Sequence, residues 1–378
     1  MVEWKEIGEI AKRNKGIPIT AGQMSELDAP DGNIRVFAAG QTVANINESE
    51  LPSNCAYKEP SIIVKSRGYV DFVFYDKPFT HKNEMWSYSF VNKQFGKYVY
   101  YFLTTKTEFF RKKAKANSVK LPQLCVADTD KFLIPIPSQS EQNKIVDILD
   151  TFTSSIENLK EQIALRRKQY EYYRDQLLDL EGKEGVAWKT LEWAFPFIRN
   201  GFVGTVTPYF TSEDNGVRYL EGTNIHNGTI ADNVKLYVTH EFHKKHIKNE
   251  LKANDILMVQ SGHIGECAVV GDKYKGSNCH ALIIMSNGGL CNSKFVVHYF
   301  HTIKGYKSLS PAITGGAIKH VLAKKVGKIR IPIPSLAEQS RIVSILDTFE
   351  ASISNLEAQL KEREKQYEYY RNKLLTFE

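Results

Sequence analysis

Ile134-Pro135-Ile136-Pro137-Ser138 returns 197 residues later as Ile331-Pro332-Ile333-Pro334-Ser335. The copies stay in register without a gap. Glu141-Gln142 matches Glu338-Gln339, Ile148-Leu149-Asp150-Thr151-Phe152 matches Ile345-Leu346-Asp347-Thr348-Phe349, and Lys168-Gln169-Tyr170-Glu171-Tyr172-Tyr173-Arg174 matches residues 365–371 unchanged. About 30 of 48 aligned positions are identical, which marks an internal duplication. A tryptophan opens each copy, in Val2-Glu3-Trp4-Lys5 and Val186-Ala187-Trp188-Lys189. Between these ends, residues 5–133 and 190–330 show almost no mutual similarity. The chain therefore alternates variable and repeated segments.

The repeated segments predict helices. Pro135 and Pro137 favour an extended approach and cannot sit inside a helix. Ser138-x-x-Glu141 and Ser335-x-x-Glu338 then form capping boxes. Apolar residues follow at steps of three and four, broken only by one arginine: Ile145, Leu149, Phe152, Ile156, Leu159, Ile163, Tyr170, Tyr173, Leu177 and Leu180 in the first copy. The second copy gives Ile342, Leu346, Phe349, Ile353, Leu356, Leu360, Tyr367, Tyr370, Leu374 and Phe377. Such a seam over about five heptads predicts a long packed helix, roughly 60 Å at 1.5 Å per residue. One seam position is polar in both copies, Arg166 and Arg363. Each arginine either fixes register or snorkels its charge into water. Gly182 and Gly185 permit the chain to reverse after the first helix.

Two such helices in one chain most simply pair antiparallel. That gives an α+β protein in which two mainly-β globular domains are joined by two long antiparallel coiled-coil helices, with an internal pseudo-two-fold repeat. The expected divisions are 1–137, a helix over 138–181, a linker over 182–185, 186–334, and a helix over 335–378. Identity also extends off the seam, and off-seam apolar residues recur. Val146, Ile148, Tyr172 and Leu178, with Val343, Ile345, Tyr369 and Leu375, suggest a face on which two copies of one partner dock.

Composition narrows the class. Over 378 residues, 42% hydrophobic and 25% charged content argues against wholesale disorder. Fifty Lys+Arg against 43 Asp+Glu leave +7, compatible with a polyanion partner. The five cysteines never form Cys-x-x-Cys, so neither a disulfide framework nor a cysteine-built zinc site is expected, and a reducing, cytoplasmic location fits. Met1-Val2-Glu3-Trp4-Lys5-Glu6 has no apolar leader behind it, and no apolar run is of membrane-spanning length. No catalytic, cofactor-binding or metal-ligating set is expected: phosphate-loop, dinucleotide and nucleophile-elbow motifs are missing. His240-x-x-His243-x-x-His246 lies among Lys244, Lys245 and Lys248, which favours a solvated basic turn over a metal site. Cys279-His280 are chain neighbours, and neighbours rarely make a dyad.

The variable segments read as strands punctuated by glycine turns, including Ile34–Ala38, Ser61–Lys65, Tyr69–Tyr75, Met85–Phe90, Val234–Val238 and Asp255–Gln260, with a helix over Tyr98–Lys113. Basic runs precede both long helices, among them Lys112 and Lys120, then Lys319, Lys324 and Lys325. Turn residues suited to reading bases are Arg35, Gln41, Lys65, Arg67, Lys82 and Asn83, then Arg218, Asn224, His226, Gln260, Ser261 and His263. Taken singly, each reads more readily as ordinary surface or structural polarity than as a base contact.

The doubled Ile-Pro-Ile-Pro-Ser-x-x-Glu-Gln followed by Ile-Val-x-Ile-Leu-Asp resembles the boundary signature of type I restriction-modification specificity subunits. Residues 217–225 and 255–265 resemble strings in that family's target-recognition domains, and the likeness spans the whole chain. It implies a non-catalytic subunit of a bacterial defence complex. Each globular domain would read one half of a bipartite asymmetric double-stranded DNA target, and the helices would space the halves. Two methyltransferase subunits and, through them, two restriction subunits would dock. S-adenosylmethionine, ATP and Mg²⁺ would belong to those partners. The competing readings are a coiled-coil scaffold, a silent domain-donor cassette, and a stand-alone DNA-modifying enzyme.

Overall fold

Pro135, which bars a helix before Ser138, lies in a strand, and Pro137 follows it. In the computed structural model, which describes residues 2–118, 120–316 and 319–377, two compact units are resolved. One comprises residues 1–160 with 358–378, the other residues 161–357, so each long helix is divided between them. Among the described residues no helix is long and apolar enough to cross a membrane.

The first unit contains strands β1 (Glu3–Glu6), β2 (Lys12–Lys15), β3 (Ile34–Phe37), β4 (Val43–Ile46), β5 (Ser61–Lys65), β6 (Asp71–Tyr75), β7 (Phe79–His81), β8 (Trp86–Ser89) and β9 (Leu133–Ile136). β1 pairs antiparallel with β9, placing Trp4 opposite Pro135. A two-stranded ribbon tolerates proline because one edge needs no donor. β2, β8, β5 and β6 form an antiparallel sheet in that order. β4, β3 and β7 form another, with β3 antiparallel to β4 and parallel to β7.

The second unit contains β10 (Ala187–Thr190), β11 (Phe197–Asn200), β12 (Gly216–Leu220), β13 (Ile225–His226), β14 (Thr229–Ile230), β15 (Leu236–Thr239), β16 (Ile256–Val259), β17 (Cys267–Val269), β18 (Asn278–Cys279), β19 (Leu282–Ser286), β20 (Ile313–Thr314), β21 (His320–Val321) and β22 (Arg330–Ile333). β10 pairs with β22, and Trp188 again faces a proline, Pro332. The sheets run β11-β19-β16-β17 and β15-β12-β18, with β12 antiparallel to β15 and parallel to β18. Segments without detectable sequence similarity thus share strand order and direction.

The long helices span Gln139–Leu177 and Leu336–Leu374. Their first turns enter the globular cores. Ile145, Val146 and Leu149 pack with Ile62, Val64, Tyr98 and Phe102, and Leu375, just past the end of the second helix, joins them. Ile342, Val343 and Leu346 pack with Met258, Ile283 and Phe295, joined by Leu178. Burial of one such aliphatic side chain stabilises by about 1.5–3 kcal/mol. Val146, Leu178, Val343 and Leu375 therefore belong to the cores and present nothing to a partner, contrary to expectation. Their off-seam position is what turns them towards the globular domain.

Pairing is antiparallel within each unit. In the first, Phe152 stacks on Tyr370 at 5.4 Å and Lys160 meets Glu364 at 3.4 Å. In the second, Tyr173 stacks on Phe349 at 5.4 Å and Arg167 meets Glu357 at 2.5 Å. The polar seam position is resolved by cation–π contact: Arg166 lies 5.8 Å from the Phe349 ring and Arg363 lies 5.7 Å from Phe152. The aromatic stacks outweigh the exposed ion pairs, which contribute at most about 1 kcal/mol each.

Several boundaries differ from expectation. The helix expected over Tyr98–Lys113 is two, Lys93–Thr105 and Thr107–Asn117, the first capped by Asn92. Tyr69 and Val70 belong to the turn before β6, and the strand expected from Val234 begins at Leu236. β2, of sequence Lys-Arg-Asn-Lys, carries no apolar alternation and is held by pairing with β8.

Each helix start is tied by a buried glutamine. Gln142 Nε2 donates to the Pro137 carbonyl at 2.8 Å, and Gln339 Nε2 to Pro334 at 2.9 Å. Gln339 Oε1 also accepts from the Asn292 backbone N–H at 2.8 Å, whereas Gln142 Oε1 meets no protein donor. Orphaning a buried polar group costs about 1–3 kcal/mol. Gln339→Ala is expected to destabilise the second unit by about 2–4 kcal/mol, and Gln142→Ala the first by about 1–2 kcal/mol. Hydrogen exchange read separately over residues 134–150 and 331–347 checks the order; equal losses would contradict it.

Candidate nucleic-acid interface

In the first unit, three turns converge where β5 ends. Lys65 Nζ donates to the Gly40 carbonyl at 2.5 Å, joining β5 to the β3–β4 turn. Ser66 Oγ donates to the Glu84 carbonyl at 2.5 Å, and Lys82 N–H donates to Phe37 at 2.9 Å, joining the β7–β8 turn. Residues 122–124 close the fourth side. Gly68 N–H donates to Pro122 and Leu124 N–H to Ser66, both at 2.8 Å, with Arg67 bridged to Gln123. Gly68 has φ +76°, which lets the β5–β6 turn fold back.

This assembly gathers Arg35, Gln41, Lys65, Arg67, Lys82 and Asn83, although they are spread over 49 residues of chain. Their availability differs. Gln41, Arg67 and Asn83 are exposed, as are Lys112 and Lys120. Arg35 is half-buried over the Phe37 ring, and Lys82 pairs with Glu84 at 3.2 Å. Lys65 is half-buried, and desolvation holds its ammonium below the ordinary lysine range. It shapes the turn that presents Gln41. Sequence reasoning overlooked Tyr69, which is 58% exposed, with the Arg111 guanidinium 4.2 Å from its ring. Its neighbours Arg67 and Gly68 were the available signal.

The second unit repeats the plan with other side chains. His280 N–H donates to the Leu220 carbonyl at 2.8 Å, as Lys82 does to Phe37. The turn after β16 carries Gln260, Ser261 and His263, with Gly262 at φ +82°. It lies against β21: Val321 N–H donates to the Gln260 carbonyl at 2.9 Å, and Ser261 Oγ lies 2.5 Å from His320 Nδ1. The β13–β14 hairpin bearing His226 joins through the Asn227 N–H, which donates to Glu266 Oε2 at 3.1 Å. His226, Ser261, His263, Lys319, Lys324 and Lys325 are all exposed, and Gln260 is half-buried.

Two expected base readers are instead structural. Asn224 is fully buried. Its Nδ2 donates to Ala231 and Val234 carbonyls at 2.9 and 2.8 Å, and its Oδ1 accepts from Glu221 N–H at 2.9 Å. Arg218 donates to the carbonyls of Tyr219, Leu236 and Val234 at 2.8, 3.0 and 2.8 Å. A saturated amide and guanidinium brace the 221–236 loop. Of the helix residues suggested for docking, Ile148, Tyr172 and Tyr369 are exposed and Ile345 is half-buried. Tyr172 and Tyr369 each lean edge-on against the next tyrosine, at 5.4 and 5.3 Å.

The three clustered histidines have separate tasks. His243 Nδ1 lies 2.6 Å from Asn278 Oδ1, His246 packs on Phe242 at 4.5 Å, and His240 is exposed. Burial pushes the Cys279 thiol up to about 12, so it stays protonated at neutral pH.

His81 sets up a pH dependence. It is buried at the end of β7, with ring nitrogens 3.1 Å from Ser87 Oγ and 3.2 Å from the Lys82 carbonyl. Burial lowers its pKa from 6.5 to about 4. Between those values the unfolded chain takes up a proton that the folded chain refuses, so stability falls as pH falls through that window. The loss is at most about 3 kcal/mol. Urea midpoints at pH 7.5 and 5 should diverge more for the parent chain than for His81→Asn.

Comparison with known proteins gives a consistent match. The family model described as type I restriction modification DNA specificity domain matches residues 1–166 and 196–365. The specificity subunit of the type I restriction enzyme EcoR124I/EcoR124II from Escherichia coli is 30% identical, covering 100% of this chain and 94% of that protein. The crystal structure of a type I restriction-modification S subunit from M. genitalium aligns with TM-score 0.65 at 15% identity, over 100% of this chain and 97% of the other. A chain from a structure of type I R-M complex assembly and conformational transition aligns with TM-score 0.55 at 14% identity, over 99% and 96%.

Proposed function

The chain belongs to the type I restriction-modification DNA specificity family, and on that premise we propose that it selects the DNA sequence on which a restriction-modification complex acts. Residues 1–137 read one half of a bipartite, asymmetric double-stranded target and residues 186–334 the other. The long helices Gln139–Leu177 and Leu336–Leu374 space the halves. The observation that carries this reading is the pairing of one turn assembly, repeated on one sheet order, with different exposed side chains. Arg67, Gln41 and Asn83 occupy it in the first unit, and His263, Ser261 and His226 in the second. Arginine and glutamine make bidentate contacts to base edges in the major groove, and the exposed lysines bind phosphate.

Partner docking follows from the repetition. Ile148 and Tyr369 of the first unit, and Ile345 and Tyr172 of the second, occupy equivalent positions, which suit two copies of one methyltransferase subunit. Two restriction subunits join through them. The chain itself carries out no catalysis in this reading. S-adenosylmethionine, ATP and Mg²⁺ are held by the partners, and the complex works in the cytoplasm.

Methylome sequencing tests the proposal. A strain expressing this chain with its neighbouring methyltransferase is expected to carry an adenine-methylated split motif that vanishes when the chain is deleted. Arg67→Ala is expected to relax one position of one half-site, at about 1–3 kcal/mol of discrimination, and to leave the other half unchanged. A change in both halves, or no motif despite good expression, would favour a scaffold or a silent cassette.

A further inference from the structure

The helix Ser293–Phe300 meets both long helices within the second unit through a cluster built differently from its counterpart in the first. In the first unit Lys97 Nζ and Tyr101 Oη both donate to Asp150, at 2.5 and 2.7 Å, and Thr153 Oγ1 lies 3.3 Å from Tyr101. The set is closed by direct hydrogen bonds. The residues 197 positions on are Lys294, His298, Asp347 and Glu350. Lysine and aspartate persist: Lys294 Nζ donates to Asp347 Oδ2 at 2.7 Å. Tyrosine and threonine have become histidine and glutamate, and the set no longer closes.

The proton accounting shows what is missing. Tyr170 has one hydroxyl proton, 3.0 Å from Glu350 Oε1 and 3.1 Å from His298 Nδ1. Donated to the carboxylate, it leaves Tyr170 Oη to accept from Nδ1–H, so His298 Nε2 carries a lone pair. Nε2 faces Asp347 Oδ1 across 3.8 Å, too far for a hydrogen bond. Both atoms are buried with no protein hydrogen-bond partner, on a histidine side chain only 5% exposed. Two buried lone pairs facing each other call for positive charge between them, either a proton on Nε2 or a metal ion.

We propose that His298, Asp347 and Glu350 form a divalent transition-metal site of the zinc class. One nitrogen of His298 and one oxygen of each carboxylate lie within 4.8 Å of one another. Tetrahedral coordination at about 2.0–2.1 Å needs separations of about 3.3 Å, so the ligands draw together by roughly an ångström. The half-buried carboxylates have room to do so, because they line a cavity of about 980 Å³ that leaves a fourth position for water. The supporting groups also fit. Lys294 holds the other oxygen of Asp347, and Tyr170 hydrogen-bonds Glu350, as outer partners of ligating carboxylates do. The ion would staple a helix of the globular domain to the second long helix, with the first long helix supporting it through Tyr170. This assignment is independent of the DNA-specificity reading.

Co²⁺ is the probe, added to the full chain at pH 7.5 after EDTA treatment and dialysis. The expected result is one equivalent bound with the visible absorption of a four- or five-coordinate site, displaced by Zn²⁺, and a zinc-dependent rise in Tm. His298→Tyr with Glu350→Thr, which transplants the closed set of the first unit, is expected to fold normally and lose both responses. Glu350→Gln alone should also lose them, and Tyr170→Phe should weaken binding about tenfold. Absence of cobalt uptake by the parent chain would overturn the site and leave an imidazolium between the carboxylates. Uptake undiminished in the double variant would overturn it equally, by placing the metal elsewhere.

Discussion

Ile145, Val146 and Leu149 in one copy, and Ile342, Val343 and Leu346 in the other, are buried by globular cores before either helix meets its partner. Each long helix is therefore anchored by apolar burial at its start, and only the remainder is available for pairing. The same cores take in Leu375 and Leu178, close to where the opposite helices end. A helix residue thus answers to two constraints, the domain that grips it and the helix that crosses it. That double duty explains why the helical segments remain alike while the surrounding strands have lost all detectable similarity.

The helices were legible because their signals are local and additive. Ser138 with Glu141, proline before them, and apolar steps of three and four together define start, face and direction. The polar seam position was legible only as a choice, since a sequence does not show that Phe349 and Phe152 stand opposite Arg166 and Arg363. β2 and β7 were invisible for a related reason. Lys12-Arg13-Asn14-Lys15 has no strand pattern of its own, and Phe79-Thr80-His81 is buried throughout. The ladder partner decides such strands, and ladder partners are non-local.

The interface shows the same limit more sharply. Residue type suggested Arg67 and Asn224 alike, yet one is exposed and the other is buried with its amide saturated. Asparagine suits a base edge and a loop interior for one reason, a donor and an acceptor side by side. Only the loop's own carbonyls, at Ala231 and Val234, settle which it serves. Conversely, the kinship of the two variable segments lies in strand order, which tolerates replacement of every exposed side chain. A shared scaffold with independent surfaces is what two different recognition tasks require.

The β1–β9 and β10–β22 ribbons have a topological consequence. Because Trp4 lies opposite Pro135 and Trp188 opposite Pro332, the chain enters and leaves each globular domain on neighbouring antiparallel strands. Everything between those strands is, in effect, a closed loop hung from a single ribbon. A domain of the same strand order grafted between the tryptophan and the Pro-x-Pro would meet the same two strand ends at the same spacing. New and native termini placed on such a ribbon would also be close enough to join. The architecture therefore lends itself to circular permutation and to wholesale exchange of one domain by two nearby crossovers, with the helices left untouched.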